Sequence, residues 1–196
     1  MNGKSLIQRV FERGKLITDN VYIATDSNIV KDHVSSFTSN VVMTSNEHIS
    51  GTDRVCEAAS ILSLSDDQLI VNLQGDEPFV DKEAIGRLIK SFDDPDVKIS
   101  SLMTNFQNFK EITNPNNVKV IVDNHNDAIY FSRLPIPYSS NRIEDFNRHI
   151  GIYAFTRESL IEFSKLERSK LEIIESLEGI RIIENSKKTM ETYYIF

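Results

Sequence analysis

The sequence predicts an α/β protein built on a doubly wound, mostly parallel sheet flanked by helices, with a small β excursion. Two observations carry this. Up to residue 91, short apolar runs of strand length alternate with amphipathic helical segments. That β-α-β-α order places helices on both faces of a parallel sheet, with right-handed crossovers. After residue 117 the pattern changes to strand-like alternation around the turn-rich pentad Asp123-Asn124-His125-Asn126-Asp127, which reads as the excursion. The chain of 196 residues fits one domain over 1–196.

Each element follows from local chemistry. Residues 5–15 place Leu6, Ile7, Val10 and Phe11 on one helical face. Residues 20–24 form a short apolar strand, and Thr25-Asp26-Ser27 cap the next helix, over 28–36, predicted to bury Ile29, Val30 and Val34. A strand at 41–43, a polar loop and a helix opened by Thr52-Asp53 follow. Residues 69–73 make an apolar strand that runs into Gln74-Gly75-Asp76-Glu77-Pro78, and a helix over 82–91 comes next. Strands are expected at 118–122, 128–131 and 150–155. Two prolines, Pro135 and Pro137, keep the intervening segment out of any central strand. Helices over 157–165 and 171–185 close the chain.

Composition narrows the function. A net charge of -7 argues against a nucleic-acid surface, while a few local cations still suffice for one phosphate group. A single cysteine, Cys56, excludes an internal disulfide and points to a reducing, cytoplasmic compartment. No apolar stretch reaches about 18 residues, so no membrane span is expected. The N-terminus leads directly into an amphipathic helix, with no signal peptide expected.

The residues that carry chemistry sit after the strand at 69–73. In open α/β sheets ligands bind at the carboxyl ends of strands. A carboxylate there, beside a nucleotide, suits Mg²⁺ with waters and phosphate oxygens completing the octahedron. Asp76 is that candidate; the plainer reading is a turn or capping Asp. Ser50, Gly51, Thr52 and Arg54 lie where a loop enters a helix, offering backbone N–H groups and a guanidinium to a nucleotide. The alternative is a helix N-cap by Ser50 or Thr52 with Arg54 solvated.

In chain order the motifs are Asn2-Gly3-Lys4, Ala24-Thr25-Asp26, His48-Ile49-Ser50-Gly51-Thr52-Asp53-Arg54 and Val71-Asn72-Leu73-Gln74-Gly75-Asp76-Glu77-Pro78. Later come Asn114-Pro115-Asn116-Asn117-Val118-Lys119, Tyr130-Phe131-Ser132-Arg133 and Arg148-His149-Ile150-Gly151-Ile152-Tyr153. This ordered set resembles the sugar-nucleotide cytidylyltransferases of the 3-deoxy-manno-octulosonate (KDO) type, over residues 2–178. The resemblance implies a Rossmann-like nucleotidyltransferase fold. It also implies transfer of CMP from CTP to the anomeric hydroxyl of KDO, or a close 3-deoxy sugar acid, for lipopolysaccharide synthesis. Asp76 would then hold Mg²⁺, and residues 50–54 would border the cytidine. Gln74, Arg133, His149, Tyr153 and Glu178 match positions around the sugar. A core tyrosine, an arginine supporting the Pro135–Pro137 turn and a solvated helix glutamate are the alternatives for Tyr153, Arg133 and Glu178.

Measured against that family, the chain starts after the basic phosphate-loop strand and stops before a C-terminal segment carrying a second metal-binding Asp. Gly179 and Lys170 stand where the family has Gln and Pro. Two further readings therefore stay open: a catalytically inactive remnant, and a cytidylyltransferase for a sialic-acid-like sugar. Residues 130–153 are the candidate interface of a homodimer.

Overall fold

The computed structural model describes residues 3–139, 142–185 and 191–194. Asn2, which opens the first motif, and Ile195 and Phe196 lie outside these residues. The α/β class stands. Helices α1 (Leu6–Lys15), α2 (Asn28–Val34), α3 (Gly51–Ile61) and α4 (Lys82–Lys90) alternate with strands β1 (Ile23–Thr25), β2 (Val41–Met43) and β3 (Leu69–Asn72). Ser5, Ser27, Ser50 and Asp81 accept hydrogen bonds from first-turn backbone N–H groups and so fix where these four helices start. Each such cap is worth about 1 kcal/mol. Helix α2 departs from expectation: only Val34 is buried, and Ile29 is 82% exposed.

The second half holds β4 (Ile99–Asn105), α5 (Phe109–Ile112), β5 (Lys119–Val122), β6 (Ala128–Ser132), β7 (Asn147–Thr156), α6 (Arg157–Ser164), α7 (Lys170–Glu175), α8 (Gly179–Asn185) and β8 (Glu191–Tyr194). Strand β4 is absent from the sequence-based expectation. Its Ser100-Ser101 pair dilutes the apolar signal, yet both serines are fully buried. The helix expected over 171–185 is two helices. Ser176 adopts left-handed backbone, φ 55°, and ends α7, so Leu177 and Glu178 fall in the break before α8 begins.

The sense of pairing is more antiparallel than the sequence predicts. Strands β1 and β2 form a separate two-stranded parallel sheet, and β4 pairs with β8 in parallel. The ten-residue β7 runs antiparallel to β3, β4 and β5, and β5 pairs antiparallel with β6. The reason is the β5–β6 hairpin, after which the long β7 returns through the sheet against its neighbours. Alternate residues of β7 and β4 then face opposite layers. Met103, Tyr153 and Phe155 pack with Ala59 of α3, Leu160 and Phe163 of α6, and Ile180 and Ile182 of α8. Leu102, Ile152 and Ala154 pack with Ile85 and Leu88 of α4. Strands buried on both faces mark the centre of a three-layer α/β domain. Among the described residues no helix is long and apolar enough to cross a membrane.

One gap in this pairing positions the site. On one edge of β7, β3 reaches only to Asn72, opposite Tyr153. On the same edge β5 begins at Lys119, opposite Arg148, and the amide of His149 still reaches the carbonyl of Val118 at 2.9 Å. The stretch between them on β7 also bulges away from β4. Ser101 pairs with Tyr153 but its neighbour Leu102 pairs with Ile150, so Gly151 and Ile152 have no partner there. A sheet interrupted in this way leaves a hollow at the carboxyl end of β3.

Candidate active site

That hollow is an open cleft of about 500 Å³. Its floor is β7: His149, Gly151 and Tyr153 face it. One wall is the turn after β3. The amide of Glu77 donates to the carbonyl of Gln74 at 3.1 Å, closing a four-residue turn that presents Gln74, Asp76 and Glu77 to the cleft. The opposite wall is the break between α7 and α8, with Ser176, Leu177 and Glu178. The start of α3 supplies Ser50 and Gly51. A Cβ added to Gly51 would lie 3.5 Å from the Gln74 side-chain amide, so the start of α3 packs close against the turn after β3.

The structure thus gathers Ser50, Gly51, Gln74, Asp76, Arg133, His149, Tyr153 and Glu178 around one cleft. Thr52 and Arg54 do not line it. Thr52 is 1% exposed; its hydroxyl donates to Glu178 Oε1 at 2.7 Å and accepts from Asn72 Nδ2 at 3.1 Å. It joins β3, α3 and the α7–α8 break from beneath. Arg54 donates to Thr44 Oγ1, the carbonyl of Ser45 and Asp26 Oδ2, tying the ends of β1 and β2 to α3. Ser50 is the N-cap of α3, and its hydroxyl also donates to Asp53 Oδ2 at 2.7 Å.

Arg133 is held by backbone. Its Nε, Nη1 and Nη2 donate to the carbonyls of Glu175, Pro115 and Ser176. Beside it the fully buried Lys119 ammonium donates to the carbonyls of Asn114, Asn117 and Arg133 at 3.2, 2.8 and 2.6 Å. Burial pulls the Lys119 pKa below its ordinary value, opposed by the nearby Glu175 carboxylate. Two cations therefore brace the loops that frame one side of the cleft. Glu77 also lines the cleft, and so do Arg148, Arg168 and Glu172, which escaped sequence reasoning as site residues. For Arg148 the signal was its place beside His149 in a quoted motif.

Electrostatics divide the cleft. At the turn, Asp76 is exposed, and Glu77 has its pKa raised by burial and by Asp76 and lowered by Arg148. At the floor, burial pushes the His149 imidazole down to about 3, so it is neutral. Burial likewise raises the Tyr153 hydroxyl, with Glu178 adding to the effect. Gly179 opens α8 directly against this tyrosine; a Cβ there would meet the Tyr153 oxygen at 3.0 Å.

Glu178 has its carboxyl raised above the ordinary 4.5, chiefly by burial, against the pull of the Thr52 and Ser50 hydroxyls. A raised carboxyl favours folding below its ordinary pKa, and that contribution is lost as pH rises through the shifted value. Glu178→Gln keeps an acceptor for Thr52 without the charge. Urea unfolding from about pH 4 to about pH 8 is expected to show the variant gaining on the parent protein as pH rises. A pH-independent difference would contradict the assignment.

No group of three or more His, Cys, Asp or Glu side chains that could hold a metal ion occurs among the described residues. Asp76 and Glu77 are instead adjacent oxygen donors on an open turn. That donor set fits Mg²⁺, which takes one or two protein carboxylates and fills its octahedron with water and phosphate oxygens.

A carboxylate turn at the end of a strand, facing a polar cleft within a three-layer sheet, is the layout of an α/β nucleotidyltransferase. The sequence profile of the cytidylyltransferases matches residues 1–189, and the chain belongs to that family. It is 39% identical over 193 residues to 8-amino-3,8-dideoxy-manno-octulosonate cytidylyltransferase of Shewanella frigidimarina, covering 96% of this chain and 79% of the relative. It is 40% identical over 195 residues to 3-deoxy-manno-octulosonate cytidylyltransferase of Christiangramia forsetii, covering 96% and 77%. The solved structure of CMP:2-keto-3-deoxy-manno-octonic acid synthetase complexed with CTP superposes with a TM-score of 0.88 at 36% identity, over 100% of this chain and 80% of that one.

Proposed function

We propose that this protein transfers CMP from CTP to the anomeric hydroxyl of KDO, or of its 8-amino counterpart, for lipopolysaccharide synthesis. The observation that carries this reading is the shared cleft. A carboxylate turn suited to a metal–phosphate group and a neutral, hydrogen-bonding floor suited to a polyol face one another across it. The sugar oxygen forms a bond to the α-phosphorus, the bond from that phosphorus to the bridging oxygen breaks, pyrophosphate leaves, and the hydroxyl proton is released. Asp76, with Glu77 beside it, would hold Mg²⁺, which when bound would supply charge neutralisation at the phosphates.

The chain's own groups supply position. Ser50 and Gly51 border the nucleotide, with Thr52 and Arg54 fixing their loop from behind. Gln74, His149, Tyr153 and Glu178 offer hydrogen bonds to sugar hydroxyls, a recognition that rejects analogues lacking them. Arg133 and Arg148 place positive charge where an acidic sugar and a triphosphate meet. The testing experiment is pyrophosphate release by this chain with Mg²⁺, CTP and each of KDO, 8-amino-KDO and N-acetylneuraminate. Release that needs CTP and an octulosonate is expected. Release with N-acetylneuraminate alone would favour the sialic-acid reading, and no release from folded protein would favour the inactive one.

A further inference from the structure

Ser101 lies on β4, fully buried, directly behind the floor of the cleft. Its Oγ is 2.7 Å from His149 Nε2, 2.9 Å from the carbonyl oxygen of Ile152 and 3.3 Å from that of Ile150. The bulge explains this geometry. Gly151 and Ile152 have no partner on β4, so the carbonyl of Ile152 takes its hydrogen bond from a side chain. A serine hydroxyl has one proton, and a carbonyl oxygen can only accept. With that proton on Ile152, the serine oxygen is left to accept, and the group that can donate to it is the imidazole through Nε2–H.

We propose that Ser101 is a positioning residue that fixes His149 as its Nε2–H tautomer and leaves Nδ1 as a hydrogen-bond acceptor for a substrate hydroxyl. A neutral imidazole carries one ring N–H, and burial keeps His149 neutral. The ring is held in place on both sides, by Phe131 at 4.6 Å between centroids and by Tyr153 at 5.5 Å. Nδ1 has no hydrogen-bond partner among the described residues and is not among the buried polar atoms left unpaired, so it is open to solvent, and the cleft is the open space that His149 lines. The class of ligand is a polyol hydroxyl donor, a step that rests on the proposed sugar-acid acceptor. The opposite tautomer would offer the same hydroxyl an N–H in place of a lone pair, and would draw the Ser101 proton away from the Ile152 carbonyl.

The test reads the tautomer first and the kinetics second. In protein labelled with ¹⁵N-histidine, His149 is picked out from the four histidines by the ring signals that vanish in a His149→Gln variant. The expected pattern is a protonated Nε2 and a bare Nδ1. Ser101→Ala is expected to lose that single pattern and to raise KM for the sugar acid about tenfold with KM for CTP unchanged, and Ser101→Thr to restore both. A protonated Nδ1 in the parent protein overturns the proposal, with no variant needed. The expected tautomer with an unmoved sugar KM in Ser101→Ala overturns the acceptor role. Absence of any turnover would count against the sugar-transfer reading alone, since the spectrum of the parent still decides the part played by Ser101.

Discussion

Asp76→Asn is expected to lower CTP-dependent pyrophosphate release by about 10²- to 10³-fold. Losing one preorganised charged group at a site of developing phosphate charge costs roughly 3–4 kcal/mol of transition-state stabilisation. Asn keeps the size of the side chain and removes the anionic oxygen that a hard cation requires. Asp76 is exposed and belongs to a turn closed by backbone, so the folded protein is expected to lose less than about 0.5 kcal/mol of stability. The separation of the two effects is the useful part. Activity is followed by pyrophosphate release over a Mg²⁺ titration and stability by urea unfolding. A variant retaining parental rates at every Mg²⁺ concentration would remove Asp76 from the metal site.

Arg181→Met is expected to destabilise the fold by about 3–5 kcal/mol, the cost of removing one partner of a buried ion pair. Arg181 is 2% exposed. Its Nε and Nη2 donate to the two carboxylate oxygens of Glu172 at 2.9 and 2.7 Å. Nη1 reaches Asp53 Oδ1 at 3.3 Å, and the guanidinium carbon lies 4.5 Å from the centre of the Phe163 ring. Burial opposes the charge, but the Glu172 hydrogen bonds and the Asp53 charge outweigh it and hold the guanidinium protonated. Met removes the cation and leaves Glu172, only 2% exposed, with the longer 3.4 Å contact to the more exposed Arg168 as its remaining counter-charge. Adding Glu172→Gln keeps the cap that Glu172 makes on the backbone of Ser169 and removes the buried anion. The double variant is therefore expected to regain part of the loss. Chemical denaturation of both proteins checks this, and a single variant losing under about 1 kcal/mol would contradict it.

How far the sequence could be read is clearest at particular residues. The turn at Gln74–Glu77 was legible because an apolar strand running into Gly, Asp and Pro has few other uses. The caps at Ser27 and Ser50 were legible for the same local reason. Strand β4 was not, because Ser100 and Ser101 look like loop residues until the bulge of β7 gives Ser101 its partners. Lys119 closed the motif that begins at Asn114 but had no role to read, since its three carbonyl partners come from residues 114, 117 and 133 and meet only in the folded chain. Arg133 read as a position around the sugar by its place in the Tyr130–Arg133 motif, and the three backbone carbonyls its nitrogens brace could not be seen from the sequence. The closing helix read as continuous because the left-handed turn at Ser176 has no glycine to announce it, and that turn is what delivers Glu178 to the cleft.

The bonds from Thr52 to Glu178 and from Asp53 to Arg181 bridge 126 and 128 residues of chain. Loop-closure entropy makes contacts of such separation late ones. At ribosomal speeds of about 5–20 residues per second, roughly 6 to 25 seconds pass between making the first partner and the second. A half-made chain thus carries the loop at Ser50 without the residues that hold it from behind. The nascent protein presents no finished cleft to cellular nucleotide until Glu178 and Arg181 have left the ribosome.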